Sequence, residues 1–188
     1  MGVSVTAAGT GLRQGEAFGL TVDRVDFLRR SLTVDRQIVL LRGAPELAPP
    51  KTEASRRTIP LPGVVVDALA AHLAAYPASS EGLVFTNEHA EAIRRTRFSD
   101  VWRPAVARAR LAPGTGFHAL RHFYASLLTR HGESVKTVQA RLGHASAIET
   151  LDTYGHLWPD SEDRTRQAVD LVLGLRRDTG VTHEVENR

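Results

Sequence analysis

Residues that can act on a phosphodiester are concentrated in one stretch of the chain, from Phe117 to Tyr154. In order along it, the candidate side chains are His118, Arg121, His144 and Tyr154. An arginine fork matches the oxygens of a phosphate and keeps its charge. Imidazole moves protons near neutral pH, and a phenol can attack phosphorus. The stretch therefore predicts a site for phosphodiester chemistry that needs no metal.

Cleavage of a phosphodiester without a metal requires four functions. Cations must neutralise the phosphate oxygens, a nucleophile must attack, a base must take the nucleophile's proton, and an acid must protonate the leaving oxygen. His118 and Arg121 are three residues apart on a predicted helix, so both side chains point into one space. His144 follows Gly143, whose tight turn lets the ring approach a ligand. Lysine suits the acid because, unlike arginine, it can give up a proton. Lys51 is one of only two lysines among 24 basic residues.

Each candidate also has an ordinary interpretation. Histidines and tyrosines occur in cores and on surfaces, and Lys51 alone is typical of a solvated turn. His118 and His122 have an H-x-x-x-H spacing that is compatible with a metal site. However, Ala119 stands where the general-base glutamate of H-E-x-x-H would lie, so a metallohydrolase is the least favoured hypothesis.

Length and composition indicate one domain, or one domain with an appended tail. The chain has 188 residues, of which 42% are hydrophobic, and it has no cysteine, which excludes disulfides and thiolate chemistry. No apolar run approaches the ~18 residues of a membrane span, and Met1 to Ala8 does not resemble a signal peptide. Residues 1–155 hold 19 basic and 14 acidic residues, whereas 156–188 hold 5 and 7. A cytoplasmic protein with a polyanion partner fits this pattern.

Periodicity and breakers predict a mainly α (α+β) fold, with helices packed on a small antiparallel β-sheet of about three strands. Strands are expected at 31–34, 37–41 and 57–61. The polar connection 43–55 is expected to carry Lys51 on or beside a hairpin turn. Helices are expected at 14–20, 63–76, 94–110, 118–130, 134–142, 146–157 and 160–176.

The helix at 94–110 is basic and amphipathic. It carries six arginines interleaved with apolar residues, and Pro104 predicts a kink or a restart. A solvated face is the ordinary interpretation, whereas on a DNA-binding protein the same face would contact phosphates.

Five sequence blocks occur in a distinctive order: Thr-Gly-Leu-Arg13-Gln-Gly-Glu16, Pro-Lys51-Thr, His118-Ala-Leu-Arg121-His122, Leu142-Gly143-His144 and Thr150-Leu-Asp-Thr-Tyr154-Gly-His156. They closely resemble the successive motifs of the tyrosine recombinase (phage integrase) catalytic domain. H-x-x-R and L-G-H are weak signals alone, but five blocks in family order at family-like spacing are highly specific. The resemblance covers about Thr10 to Leu157.

The resemblance implies a site-specific recombinase or integrase that cuts and rejoins DNA strands. It implies that Arg13 and Arg121 clamp the scissile phosphate. Tyr154 would attack, leaving a 3′-phosphotyrosyl link and a free 5′-hydroxyl, and Lys51 would protonate that 5′ oxygen. The family uses no metal and no nucleotide cofactor.

The resemblance also implies roles for three further residues. His118 would act as base toward Tyr154 or bind the phosphate, and these alternatives stay open. His144 would donate a hydrogen bond to a phosphate oxygen. Glu16 resembles the acidic residue that follows the first arginine in the family and supports the site.

The implied partner is double-stranded DNA, with self-association on DNA, as a tetramer in the family, in the cytoplasm at the nucleoid. Residues 1–157 would form the catalytic domain, and 158–188 a C-terminal helix and tail that packs in cis or on a neighbouring subunit. The family's N-terminal core-binding domain is not found in the chain, nor is most of the apolar helix that precedes the first arginine.

Two other functions remain open at this level. One is an enzyme that only nicks and relaxes DNA, like a type IB topoisomerase, with the same chemistry. The other is a catalytically silent DNA-binding or assembly fragment, since half of the family's DNA clamp is not found.

Overall fold

The structure is a computed structural model that describes residues 2–158 and 162–174. It contains two compact units, Met1–Leu157 and Trp158–Arg188. Over the described ranges, no helix has both the length and the apolar character needed to cross a membrane. Much of the predicted helix at 160–176 is present, whereas its two ends lie outside the described residues.

Helices make up most of the first unit. The helices of the first unit are α1 (Gly2–Thr10), α2 (Gln14–Phe18), α3 (Gly63–Ala75), α4 (Arg95–Arg108), α5 (His118–Arg130), α6 (Val135–Leu142) and α7 (Ala147–Tyr154). Its strands are β1 (Val25–Asp26), β2 (Ser31–Val34), β3 (Gln37–Leu41), β4 (Ala44–Ala48) and β5 (Arg57–Pro60). The second unit contains α8 (Glu162–Gly174). The predicted mainly helical α+β fold with a small antiparallel sheet is confirmed.

The strands form two sheets. An antiparallel sheet has the order β1-β2-β5, while β3 pairs with β4 in a separate hairpin. The sequence pattern assigns 43–55 to a connection and therefore misses β4. Arg42 and Gly43 both have positive φ, at 50° and 82°, as in the tight turns that match strand twist. Because the hairpin is mostly exposed, β4 needs no apolar alternation. Its sequence, Ala-Pro-Glu-Leu-Ala, consists mostly of residues that are depleted in strands, so it gives no strand signal.

Lys51 lies beside the hairpin rather than on its turn. It follows the end of β4 at Ala48 and precedes a short 3-10 turn over Glu53–Ser55. We call residues 49–56 the Lys51 loop; it leads directly into β5.

The core lies between the three-stranded sheet and the helices. Leu32 and Ile59 face each other across β2 and β5, and both are fully buried, as are Val65 and Leu69 of α3. Helix α1, which the sequence pattern does not predict, packs against α3 and α5. Its buried positions are small residues, including Ala7 and Thr10. Such small residues give no apolar stripe that would predict a helix from the sequence. The helix is stabilised instead by its close packing against α3 and α5.

An aromatic cluster fixes the start of α5. Phe98 and Trp102 of α4 stack at 5.7 Å between ring centroids, and Phe117 meets them edge-on at 5.5 and 5.4 Å. Trp102 Nε1 also donates to the Thr115 carbonyl at 2.8 Å. Helix α4 continues through Pro104, so of the two predicted alternatives, a kink or a restart, the structure excludes the restart. The cluster holds the residue that immediately precedes His118.

Candidate active site

Three arginine side chains from distant parts of the chain lie together at the C-terminal end of α6. Each guanidinium donates to one of three consecutive carbonyls: Arg57 Nε to Arg141 O at 2.8 Å, Arg121 Nη2 to Leu142 O at 2.8 Å, and Arg13 Nη2 to Gly143 O at 3.2 Å. The last carbonyls of a helix lack partners within it and carry partial negative charge. One turn of backbone therefore brings three fixed cations together.

Two glycines make this convergence possible. Gly143 ends α6 in the left-handed region, with φ 67°. A Cβ there would lie 3.0 Å from Arg57 Nη1 and 3.1 Å from the Ala54 carbonyl. Gly11 follows α1 with φ +65°, and its carbonyl accepts from Arg121 Nη1 at 2.8 Å. Both positions favour glycine because other residues rarely adopt this backbone conformation.

Glu16 joins two of the arginines. Its carboxylate accepts from Arg57 through both oxygens, at 3.1 and 2.8 Å. It also accepts from Arg13 Nη1 at 3.0 Å and from the Arg13 backbone at 2.8 Å. Burial by itself would raise the pKa of Glu16, but the hydrogen bonds and charges of Arg57 and Arg13 lower it below its ordinary value. Glu16 is therefore a carboxylate at neutral pH, as a supporting role requires.

The side chains of Arg13, Glu16, Arg57 and Arg121 form what we call the arginine network. Three guanidinium groups face one carboxylate, so the network carries an excess of two positive charges. Arg121 is only 2% exposed. Burial, followed by the charge of Arg13, lowers its pKa to about 10, which still leaves it protonated at neutral pH. Such a group of partly buried cations attracts an anion.

His144 connects the end of α6 to α7. Its Nδ1 is 2.8 Å from Thr150 Oγ1, and its Nε2 is 3.5 Å from Glu149 Oε1. Ser146 caps α7 by accepting from the Glu149 backbone at 3.3 Å, which fixes the helix that carries both partners. Burial, with a smaller contribution from the charge of Arg121, lowers the pKa of His144 to about 4. The ring is therefore neutral at pH 7.

Tyr154 is the last residue of α7 and is 3% exposed. Its Oη is 2.8 Å from His122 Nδ1. Its ring lies parallel to that of His144, with centroids 6.5 Å apart. Burial raises the pKa of Tyr154 above its ordinary value, although the charge of Arg121 acts in the opposite direction. The phenol thus lies within electrostatic reach of the arginine network.

His118 is exposed at the start of α5, and its ring meets that of His122 edge-on, with centroids 4.7 Å apart. Burial lowers the pKa of the His118 imidazole, and neighbouring charges lower it further. In decreasing order these charges are on His122, Arg121 and Arg13. The charges of the arginine network therefore act on His118, although its ring contact is with His122.

Lys51 is the candidate that the structure does not bring into contact with the others. It is exposed, and its side chain has no hydrogen bond or ion pair with any residue in the described ranges. The end of the Lys51 loop nevertheless reaches the network, because Ser55 Oγ lies 3.5 Å from Arg13 Nη1. Thr52 Oγ1 lies 3.0 Å from the same hydroxyl.

Two residues of the site are not predicted as functional from the sequence: Arg57 and His122. Arg57 had a usable signal, since it alternates along β5 with the fully buried Ile59 and so faces the interior. His122 appeared only as a possible metal ligand with His118 and as the last residue of one family block. Neither signal points to the Tyr154 hydroxyl, because that contact depends on where α7 ends. In residues 2–158 and 162–174 no group of three histidine or acidic side chains is arranged to hold a metal ion.

The fold is that of a tyrosine recombinase catalytic domain. The chain belongs to the phage integrase family, whose model matches residues 5–160. Among solved structures, the Tn1549 transposon integrase in complex with transposon right end DNA has the same fold. Its TM-score is 0.77 at 24% identity, over 92% of this chain and 58% of that one.

Curated relatives include a tyrosine recombinase XerC-like protein of Caldanaerobacter subterraneus subsp. tengcongensis, which is 33% identical over 89% of this chain and 48% of its own length. The tyrosine recombinase XerD of Mycobacterium tuberculosis (strain ATCC 25618 / H37Rv) is 30% identical over 84% and 50%. The chain spans about half the length of these curated relatives.

Proposed function

We propose that this chain is the catalytic domain of a site-specific DNA recombinase or integrase, which cuts and rejoins double-stranded DNA through a covalent 3′-phosphotyrosine at Tyr154. The observation that carries the proposal is the attachment of Arg13 and Arg121 to consecutive carbonyls of α6, with Tyr154 nearby. The names of the relatives and the DNA-bound state of the Tn1549 integrase support DNA as the substrate.

Arg13 and Arg121 bind the non-bridging oxygens of the scissile phosphate. Each guanidinium has five N–H groups, and the backbone contacts of Arg121 use two of them. The Arg13 side chain is 35% exposed, so it is accessible to an incoming strand. Because both groups are held before DNA arrives, they stabilise the transition-state charge without reorganisation.

The reaction then follows from the remaining candidates. Tyr154 attacks phosphorus, the bond to the 5′ oxygen breaks, and Lys51 protonates that oxygen. The phosphotyrosine conserves the energy of the broken bond, so a 5′-hydroxyl can reverse the step and rejoin a strand. Since the Lys51 side chain has no hydrogen bond or ion pair with any described residue, the Lys51 loop must close on the phosphate when DNA binds.

The two histidines complete the site. His144 donates a hydrogen bond to a phosphate oxygen, which its neutral ring allows. The charges of Arg121 and Arg13 act on the His118 imidazole, which supports the phosphate-binding alternative for this residue over the base alternative. None of these steps calls on a metal or a nucleotide cofactor.

The proposal extends to assembly and location. Residues 1–157 form the catalytic domain, and 158–188 form a helix and tail that contact the same or a neighbouring subunit. The protein acts as a self-associated complex, a tetramer, on chromosomal DNA at the nucleoid in the cytoplasm.

A nicked suicide substrate tests the proposal, because the fragment that carries the 5′-hydroxyl diffuses away and traps the covalent adduct. We expect the wild-type chain to form an adduct in the presence of a strong chelator, and Tyr154→Phe to form none. Tyr76→Phe is the matched control, since Tyr76 is 64% exposed and lies outside the site. An adduct with Tyr154→Phe would refute the nucleophile.

The burial of Tyr154 favours one second candidate, a catalytically silent DNA-binding fragment. Weak, steeply salt-dependent DNA binding without any adduct would support that function. Relaxation of supercoiled DNA without strand exchange would instead indicate a topoisomerase.

A further inference from the structure

The phenol of Tyr154 contacts a histidine other than the one that the resemblance implies as a base. Its Oη lies 2.8 Å from His122 Nδ1, and the two rings are 5.6 Å apart between centroids. The ring of His118 instead lies edge-on to that of His122. The direct polar partner of the reacting oxygen is therefore His122.

Other groups around Tyr154 are poorly suited to take its proton. His144 has Nδ1 bound to Thr150 and Nε2 directed toward Glu149, and its ring is parallel to the phenol ring. Arg121 offers only donors. Across the described parts of the chain, the hydrogen-bond partner of the Tyr154 hydroxyl is His122 Nδ1.

The two nitrogens of His122 have different surroundings. When the phenol donates to Nδ1, the neutral imidazole carries its own proton on Nε2. His122 is exposed, and Nε2 has no protein partner among the described residues. The ring therefore bridges a phenol that is 3% exposed and the solvent, which is the arrangement of a proton relay.

We propose that His122 is the catalytic base that accepts the proton of Tyr154 during strand cleavage; this inference rests on the proposed function. The Oη–H bond breaks and its proton passes to Nδ1, while the Nε2 proton leaves to water. The freed electron pair forms the bond from Oη to phosphorus. The bond from phosphorus to the 5′ oxygen breaks, and that oxygen takes its proton from Lys51. Rejoining runs through the same transfers in reverse.

The test measures single-turnover adduct formation on the nicked suicide substrate at saturating DNA. We expect His122→Ala to slow adduct formation by about 100-fold or more, the usual contribution of a positioned base. Added imidazole should restore part of the lost rate, because it can occupy the vacated space and accept the proton. His131→Ala, which removes an exposed histidine just after α5, should react like the wild type.

His122→Asn separates proton transfer from positioning. The amide oxygen of asparagine can accept the hydrogen bond of the phenol but cannot carry its proton at neutral pH. We expect this variant to stay slow, and it also serves if His122→Ala fails to fold. A wild-type rate for His122→Asn, or a rate for His122→Ala equal to or above the wild-type rate, would overturn the proposal. Absence of any wild-type adduct would instead refute the proposed function.

Discussion

The arginine network and the Lys51 loop differ in how far each is assembled before DNA arrives. In the network, Arg57 and Arg121 are almost fully buried, and each guanidinium is tied to a helix end or to Glu16. Lys51 is exposed, and within the described residues its side chain contacts no partner. The two regions nevertheless adjoin, since the loop runs directly into the strand that carries Arg57.

This difference separates two parts of the chemistry. Charge stabilisation works best when donors are fixed in advance, because no energy is then spent on orienting them. Protonation of the leaving oxygen, by contrast, is needed only after a phosphate is bound. An exposed lysine loses its conformational entropy only at that moment. Under the proposed function, the groups that bind phosphate are therefore fixed by the fold, whereas the acid must move to the phosphate.

The largest expected effect is on stability, from Arg57→Ala. This change removes the guanidinium that donates to both carboxylate oxygens of the buried Glu16, and it leaves a cavity beside Gly143. We expect a loss of roughly 3–5 kcal/mol in the free energy of unfolding, as for other broken buried pairs. Urea unfolding followed by circular dichroism measures it.

The adjacent Arg56 is the matched control. It pairs with Glu53 at 3.2 Å, but both side chains are largely exposed, so Arg56→Ala should cost no more than about 0.5 kcal/mol. Equal losses for the two variants would contradict the distinction between a buried network and an exposed loop.

Lys51→Ala should leave stability unchanged and slow DNA cleavage by about 100-fold or more. A substrate with sulfur in place of the bridging 5′ oxygen should restore the rate, because a thiolate leaves without protonation. Adduct formation on both substrates provides the measurement. Lys136→Ala, which removes the other lysine from an exposed position on α6, should have neither effect. Failure of the sulfur substrate to restore cleavage would argue against the acid role.

The site should also lose stability in acid. The folded-state pKa of His144 is about 4, below that of the unfolded chain, so unfolded chains bind more protons between about pH 6.5 and 4. The contribution of neutral His144 to the free energy of unfolding is therefore present above about pH 6.5 and is lost as the pH falls toward 4. Glu16, whose pKa is also lowered, loses its contribution at still lower pH. The melting temperature should therefore fall from neutral pH to about pH 5.

His144→Asn should reduce this fall, because it removes the titrating ring from the buried position. His89→Asn should not, since that ring is 71% exposed in a turn. Identical pH profiles for the wild type and His144→Asn would show that His144 does not control acid stability.

The smallest effect is expected on α4. Its arginines, including Arg97 and Arg108, are exposed and have no charged partner among the described residues. If each contacts one phosphate, the Arg97→Ala and Arg108→Ala variants should each reduce the slope of log K against log salt by about 0.9. Stability should change by less than about 0.5 kcal/mol. DNA binding measured over a range of salt concentrations tests this, and an unchanged slope would mean that α4 faces solvent in the complex.

Local chemistry was enough to predict most helices that carry the candidate residues. Ser134 caps α6 by accepting from Thr137, and Gly143 ends it, both as the sequence indicates. Ser146 does the same at the start of α7. The ends of helices can be predicted from the sequence because the contacts of capping residues span only a few positions. The order of the motifs then indicated the family, without any knowledge of their distances.

The convergence of these helices depended on contacts between residues far apart in the chain. Arg13 and Gly143 are 130 residues apart, Arg121 and Gly11 are 110 apart, and Arg57 and Glu16 are 41 apart. No local pattern encodes which carbonyl a guanidinium will meet, because that depends on how helix ends pack. For the same reason the pairing of Tyr154 with His122, and the isolation of Lys51, emerged only from the folded structure.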